Sequence, residues 1–447
     1  MNITQEIARR VVATRIADLP TDVVDYSTTL AMSAFGAMVS GHRCSVGPAM
    51  TEYVKRLGGS PQATVLGAGL KTSVEMAAMA NGTFAHATEY EDDSFPEAVS
   101  SYTLFPAIFA MGEHLESSGE RVIEAFVAGY EAQARIGLAC REARRLGYMV
   151  LSLAGSIGCA VSAAKLLGLD EKKTTMAISV AASQGGGIGY QTGSMAHIVE
   201  MGFSCRNGIS AALLAAEGIT GQPDVLEAPR GLFHIITAGK VDAPEKILSD
   251  WGRPFRVLEV GIKHFPCCYH LQRIIEATLD IRQQLGLTPD DIAEVQVEVN
   301  AFFPTVVQHP EPHDEIEAQF SLPHAVSLAM IEGRVLPRGF AKEAINDERF
   351  RKFRPKVRTV VREDWGWTPT GWTPRITYRL KNGETIVREP PSARGQPPDL
   401  LSFESCETKY RGCVQDLLSE PQVARSIDLL RDLRHSRDVG DIVRAVV

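Results

Sequence analysis

Over roughly its first 250 residues the chain repeats apolar side chains at helical period, with short Gly, Ser and Asp breaks and scarce strand signals. Helices are predicted over residues 21–39, 73–87, 106–116, 120–141, 152–167, 172–183 and 203–217. Many of their apolar faces are built from Ala, Gly and Ser, so neighbouring helices can approach closely. After Phe265-Pro266 the pattern changes. A helix over 268–285 precedes strict alternation at 292–299, the period of a half-buried strand. Helix returns at 318–332 and 341–344, residues 357–361 read as a strand, and 375–380 with 384–387 form a hairpin around Asn382-Gly383. Beyond the Pro- and Gly-rich stretch 390–398 the chain is helical again. The expected fold is mainly α. A large all-helical domain comes from both chain ends, residues 1–264 plus 396–447, and a smaller α+β lid domain is inserted at 265–395. A chain of 447 residues is long enough for two such cores.

Charge and cysteine usage narrow the function. A net charge of −8 with no basic run gives no general reason to bind nucleic acid or anionic lipid. The opening Met1-Asn2-Ile3-Thr4-Gln5-Glu6 lacks the layout of a signal peptide, and no uncharged apolar run reads as a membrane span. The weakly polar stretch 151–167 reads as a buried helix, and a cytoplasmic location is expected. The eight cysteines contain no CxxC pair, and the adjacent Cys267-Cys268 are badly placed for joint ligation. Reduced thiols and no metal site are expected. Gly185-Gly186-Gly187-Ile188-Gly189 follows a helix pattern rather than a strand, which disfavours a phosphate cradle.

The chemistry concentrates between Asn81 and Phe95, where His86, Glu89, Glu91, Asp92 and Asp93 crowd into eight positions behind an apolar run. Like charges raise one another's pKa, and burial adds to the shift, so such a knot either solvates a helix end or builds a site. Glu89, Asp92 and Asp93 fall at helical i, i+3, i+4 spacing and are expected to share one face.

Several segments, in order along the chain, resemble the MmgE/PrpD family. They are Leu19-Pro20-Thr21-Asp22-Val23-Val24, Asn81-Gly82 through Asp93, Gly193-Ser194-Met195-Ala196 through Gly208, Lys263-His264-Phe265-Pro266-Cys267-Cys268 and Ala318-Gln319-Phe320-Ser321-Leu322-Pro323. The family includes 2-methylcitrate dehydratases, cis-aconitate decarboxylases and iminodisuccinate epimerase. The resemblance implies a helical domain capped by an α+β lid, a cleft between them, a homodimer, and chemistry beside a carboxylate of a small di- or tricarboxylic acid without metal or organic cofactor.

The motifs also depart from the family. Its first motif aspartate falls on Glu89, a Thr or Ser position on Asp93, and two histidines on Val99 and Met149. A lysine falls on His197, a histidine on Glu200 and a lid tyrosine on His324, while Lys263 is retained. The resemblance then puts catalysis on Glu89, Asp93, His197, Lys263 and His324, and substrate binding on Asp92, Tyr148, Gln191, Glu200 and Arg206. Dehydration, decarboxylation and epimerisation beside a carboxylate share one requirement, a base at the C–H and positive charge where an enolate develops. Lys263 suits the second role, and the imidazoles of His197 and His324 the first, although a histidine on an apolar helix also packs as core. Arg206 suits a carboxylate, though an exposed arginine needs no ligand. Glu200 would repel an anion, which points to a less negative substrate or to a salt bridge. A lyase is expected, with an epimerase or isomerase using two bases, or a non-catalytic metabolite-binding relative, as alternatives.

Overall fold

The computed structural model describes residues 2–95, 97–242, 244 and 246–447. Long helices dominate the first part of the chain: Thr21–Gly41, Val74–Ala87, Phe105–His114, Gly119–Ala139, Val150–Leu167, Glu171–Ala182 and Met195–Ala216. Their starts are set by side-chain caps. Ser73 accepts from Met76 N, Ser118 from Arg121 N, Asp170 from Lys173 N and Ser194 from His197 N, each satisfying a backbone N–H that has no partner within its helix. The last of these starts earlier than the periodicity indicates, because the first turn beyond Ser194 mixes polar and apolar residues.

Small residues let three of these helices close up. A Cβ on Gly202 would stand 2.4 Å from Met79 O, and one on Gly208 would stand 2.2 Å from the Cys159 Cβ. The Met195–Ala216 helix is therefore wedged between Val74–Ala87 and Val150–Leu167 at a separation no larger residue permits. Val150–Leu167 has a mean hydropathy of 1.7, enough by length and composition to cross a membrane, yet 83% of it is buried inside the protein.

Two apolar clusters result. The larger unites residues from Ile3 to Ile262 with Leu401 to Val446, so the Phe403–Val414 helix returns to pack on Thr21–Gly41. The second runs from Phe265 to Leu380 and adds Val46, Ala87 and Ile198. It fills one face of a four-stranded sheet in the order Val357–Arg362, Ile292–Asn300, Arg375–Leu380, Thr385–Arg388. The first pair is parallel, with Val295 opposite Val357, and the other two are antiparallel. The predicted helix 318–332 is broken in two, Glu315–Gln319 and Leu322–Glu332, because Ser321 caps a new start and Pro323 occupies its first turn.

One small pairing matters most for the site. Asp92–Asp93 runs antiparallel to Gly261–Ile262, and Lys263 N donates to Glu91 O at 3.0 Å. This two-residue ribbon ties the end of one long helix to the Lys263 segment.

Candidate active site

The Val74–Ala87 helix ends at Thr88, and Glu89 takes the left-handed conformation with φ 47°. A side chain tolerates that region at a cost, which surrounding packing must hold in place. Beyond it the backbone is extended, so the expected helical sharing of Glu89, Asp92 and Asp93 does not occur. Side chains alternate instead. Glu91 and Asp93 point toward Lys263, and Asp92 points away. Asp92 does not line the cavity: its buried carboxylate accepts from Ser101 N at 2.7 Å, from Ser100 Oγ at 2.9 Å and from Ser101 Oγ. Burial raises its pKa to about 6 against those donors.

Lys263 is 3% exposed and collects three carboxylates. Its Nζ lies 3.0 Å from Glu89 Oε2 and 3.7 Å from Asp93 Oδ2, and pairs still more tightly with Glu91 Oε1. Burial alone would depress the ammonium, but the three acids outweigh it and hold Lys263 protonated. The carboxylates divide. Burial and the adjacent Glu91 push Glu89 up to about 7, and burial pushes Asp93 well above the usual range despite Lys263. Glu91 goes the other way, since Lys263 overcomes its desolvation. Near neutral pH the cluster pairs an ammonium with ionised Glu91, leaves Glu89 poised between its two forms, and favours the protonated form of Asp93 relative to an ordinary carboxyl.

Behind Glu89 stand two histidines. His86 Nδ1 faces Ile198 O at 3.3 Å, and its Nε2 lies 3.6 Å from Glu89 Oε1. The His197 ring meets His86 edge-on, with centroids 4.5 Å apart. Burial pushes both imidazoles down, so each is a neutral base. Glu200 stands behind His197, Oε2 to Nδ1 at 3.5 Å, while its Oε1 accepts from Ile188 N at 2.9 Å. Glu200 therefore backs the histidine and pins the 188 loop. It does not face a substrate, which removes the expected repulsion.

Donor atoms of His86, Glu89 and His197 all lie within 4.8 Å of one another. Bonds of about 2.0–2.1 Å to tetrahedral zinc would bring donors to about 3.4 Å. In the present arrangement the three are farther apart than that, with Glu89 Oε2 on Lys263 and Oε1 turned to His86.

These groups open onto a cavity of about 350 Å³. Glu89, Asp93, His197, Lys263 and Tyr148 line it, as the sequence leads one to expect, and so does Met149 in a lost histidine's place. Val99 is fully buried in the larger core. Besides Asp92 and Glu200, three further predicted residues lie outside the cavity. His324 is fully buried, its Nε2 2.9 Å from Gly339 O and its Nδ1 3.3 Å from Arg354, between Phe340 and Phe350. It is a packed core histidine, since the turn at Ser321 directs it into the second cluster. Arg206 bonds Asn207 at 2.9 Å and lies over Phe203, on the side of its helix away from the cavity. Gln191 turns back on Ser194 at 3.1 Å, between the cavity-lining Tyr190 and Thr192.

Other lining residues were given no role from the sequence. His86 and Glu91 sit in the acidic segment itself, and His270 follows the Lys263 segment closely enough to have been sought there. Arg144 carries no signal: it is one of three arginines in the short Arg141–Arg145 helix.

Two family models match the chain, the MmgE/PrpD N-terminal domain over residues 5–244 and the MmgE/PrpD C-terminal domain over residues 265–435. The chain is 26% identical to cis-aconitate decarboxylase of Homo sapiens, with 98% of this chain and 93% of that one covered. It is 25% identical to cis-aconitate decarboxylase of Aspergillus terreus, covering 99% and 95%. Against cis-aconitate decarboxylase-like protein oryM of Aspergillus oryzae the identity is 24%, over 100% and 97%.

Proposed function

The chain belongs to the MmgE/PrpD family, and from that premise we propose that it is a lyase, a dehydratase or decarboxylase, that moves a proton beside a carboxylate of a small acid. The observation that carries this reading is the buried ammonium of Lys263 ringed by Glu89, Glu91 and Asp93 at the wall of the cavity. Glu89 Oε1 is buried without a hydrogen-bond partner, and its pKa of about 7 suits a group that takes a proton and returns it. Asp93, whose pKa burial raises, can in its protonated form donate to a departing hydroxyl or to an enolate oxygen. Lys263 holds Glu89 in place and offsets the charge that develops beside it. No metal or organic cofactor enters this scheme.

Such an enzyme removes the α-proton to Glu89 and expels hydroxide as water, or releases carbon dioxide and returns a proton to the carbanion. His197 beside Glu89 supplies a second base in the same cavity, which supports an epimerase as the alternative. The reading further takes residues 265–395 as a lid over this cavity, two copies as the working unit and the cytoplasm as its place. Sedimentation showing a stable monomer removes the dimer.

Proton NMR in D₂O with mono-, di- and tricarboxylates, plain and hydroxy-substituted, tests the chemistry. Deuterium entering beside a carboxylate is expected, with an alkene or decarboxylated product marking a lyase and an inverted centre an epimerase. A carboxylate that raises the melting temperature yet never exchanges marks a binding protein and overturns the reading.

A further inference from the structure

One part of the cavity, bounded by Phe95 and Phe302, holds a cation of its own. Arg144 lines it, half-buried, and its Nη1 is enclosed with no hydrogen-bond partner. The guanidinium lies over the rings of Phe95 and Phe302, 4.9 and 5.3 Å from their centroids. Among the described residues it makes no ion pair, and Asp93 is the carboxylate whose charge acts on it. The neighbouring Arg145 is exposed and already bound to Glu142. His270 lines the same part, 4% exposed, with its ring 5.4 Å from Phe302 and its Nδ1 also unpartnered. Burial and Arg144 push His270 down to about 3, so it stays a neutral hydrogen-bonding group.

An enclosed cation without a counter-charge is costly, and a planar guanidinium is shaped to receive a carboxylate through two parallel hydrogen bonds. Lys263, by contrast, already pairs with Glu89, Glu91 and Asp93. The cavity therefore offers one anion site. Phe95, Tyr269, Phe302, Phe320 and Trp367 give its walls flat apolar surface.

We propose that Arg144 and His270 form a carboxylate-binding subsite, and that the substrate is a monocarboxylate with a flat, apolar body rather than a di- or tricarboxylate. The assignment of the reacting end to Glu89 and Lys263 rests on the lyase reading; the anion subsite does not. A carboxylate anchored on Arg144 is not the one to be lost, so within that reading the reaction is dehydration of a 3-hydroxy monocarboxylate. The α-proton passes to Glu89, the C–O bond breaks, and hydroxide leaves as water with the proton of Asp93, giving the 2-enoate.

Calorimetric titration of the full-length protein with cinnamate, cinnamamide and propane-1,2,3-tricarboxylate tests the subsite. Cinnamate is expected to bind more tightly than the other two. Arg144→Gln should weaken it roughly tenfold or more, and Arg144→Lys, which keeps the charge but loses the fork, should fall between. Both variants are to be compared at unchanged melting temperature, with Arg144→Lys as the informative one should Arg144→Gln unfold. Equal affinity in the variants, preference for the tricarboxylate, or no cinnamate binding at millimolar concentration each overturn the proposal. Deuterium exchange in 3-hydroxy-3-phenylpropanoate is read separately. Arg144-dependent binding without exchange would sink the lyase reading and leave the subsite standing, and exchange that ignores Arg144 would do the reverse.

Discussion

Lys263 and Glu89 lie 174 positions apart in sequence, and their side chains meet at 3.0 Å where each is almost fully buried. The two-residue ribbon Asp92–Asp93 with Gly261–Ile262 makes that meeting obligatory. The ion cluster is thus a joint between two distant segments as well as a set of reactive groups.

Removing the cation isolates the acids around it. Lys263→Ala is expected to abolish turnover and to lower stability by about 3–5 kcal/mol at pH 8, the range for breaking a buried pair from one side. The loss should shrink toward pH 5, where the orphaned carboxylates take up protons. Urea unfolding at both pH values measures it; an unchanged midpoint at pH 8 would mean that the cluster is not closed in solution.

Glu89 carries the pH dependence. Its folded pKa of about 7 lies above the ordinary value of 4.5, so between those values the folded state binds a proton that the unfolded chain has released. Stability contributed by this group is present in full below 4.5 and is lost as the pH rises through 7. Asp92, raised from 3.8 to about 6, adds a slope of the same sign at lower pH. Glu89→Gln should therefore flatten the decline of melting temperature from pH 5 to 8. If Glu89 is the base, the same change removes the rise of kcat near pH 7. A slope identical to that of the parent protein would place the titrating group elsewhere.

How much of this was legible in sequence follows from which interactions are local. The helices were, because apolar period and capping residues act within a few turns, and the Ile292–Asn300 strand was, because alternation is equally local. The acidic segment was legible as a site but not as a shape. Helical spacing was assumed for residues 89–93, whereas the left-handed Glu89 and pairing with Gly261–Ile262 impose alternation, which exchanges Asp92 for Glu91 at the cluster. Arg144 was invisible because nothing in a run of arginines says which one lies over Phe95 and Phe302. For Glu200 the sequence left a less negative substrate and a salt bridge open, and only the fold shows its neighbours to be His197 and the Ile188 N–H.

His324 gives a negative control for the site. Its two ring nitrogens serve Gly339 O and Arg354, far from any lining position, so His324→Phe should leave kcat within about twofold. Stability should fall by about 1–3 kcal/mol, because a buried carbonyl and a guanidinium lose their partner. Thermal unfolding and turnover on the same sample separate the two, and a large fall in kcat with unchanged melting temperature would return His324 to the chemistry.

Glu200 tests whether the second row of the site matters. It does not line the cavity, yet its Oε2 lies 3.5 Å from His197 Nδ1 and its Oε1 accepts from Ile188 N. Its action is therefore positional: it fixes the ring edge-on to His86 and so places both imidazoles behind Glu89. Glu200→Gln keeps the acceptor for Ile188 N and removes the negative charge beside His197. A small displacement of a catalytic group costs up to about 100-fold in rate, so kcat is expected to drop within that range while KM stays near its original value. The kcat–pH profile should also shift, since His197 loses the acid that favours its protonated form. Glu200→Asp, with a shorter arm but the charge retained, should recover part of kcat and the original profile. A rise in KM with kcat unchanged would instead place Glu200 against the substrate, as the sequence alone suggested.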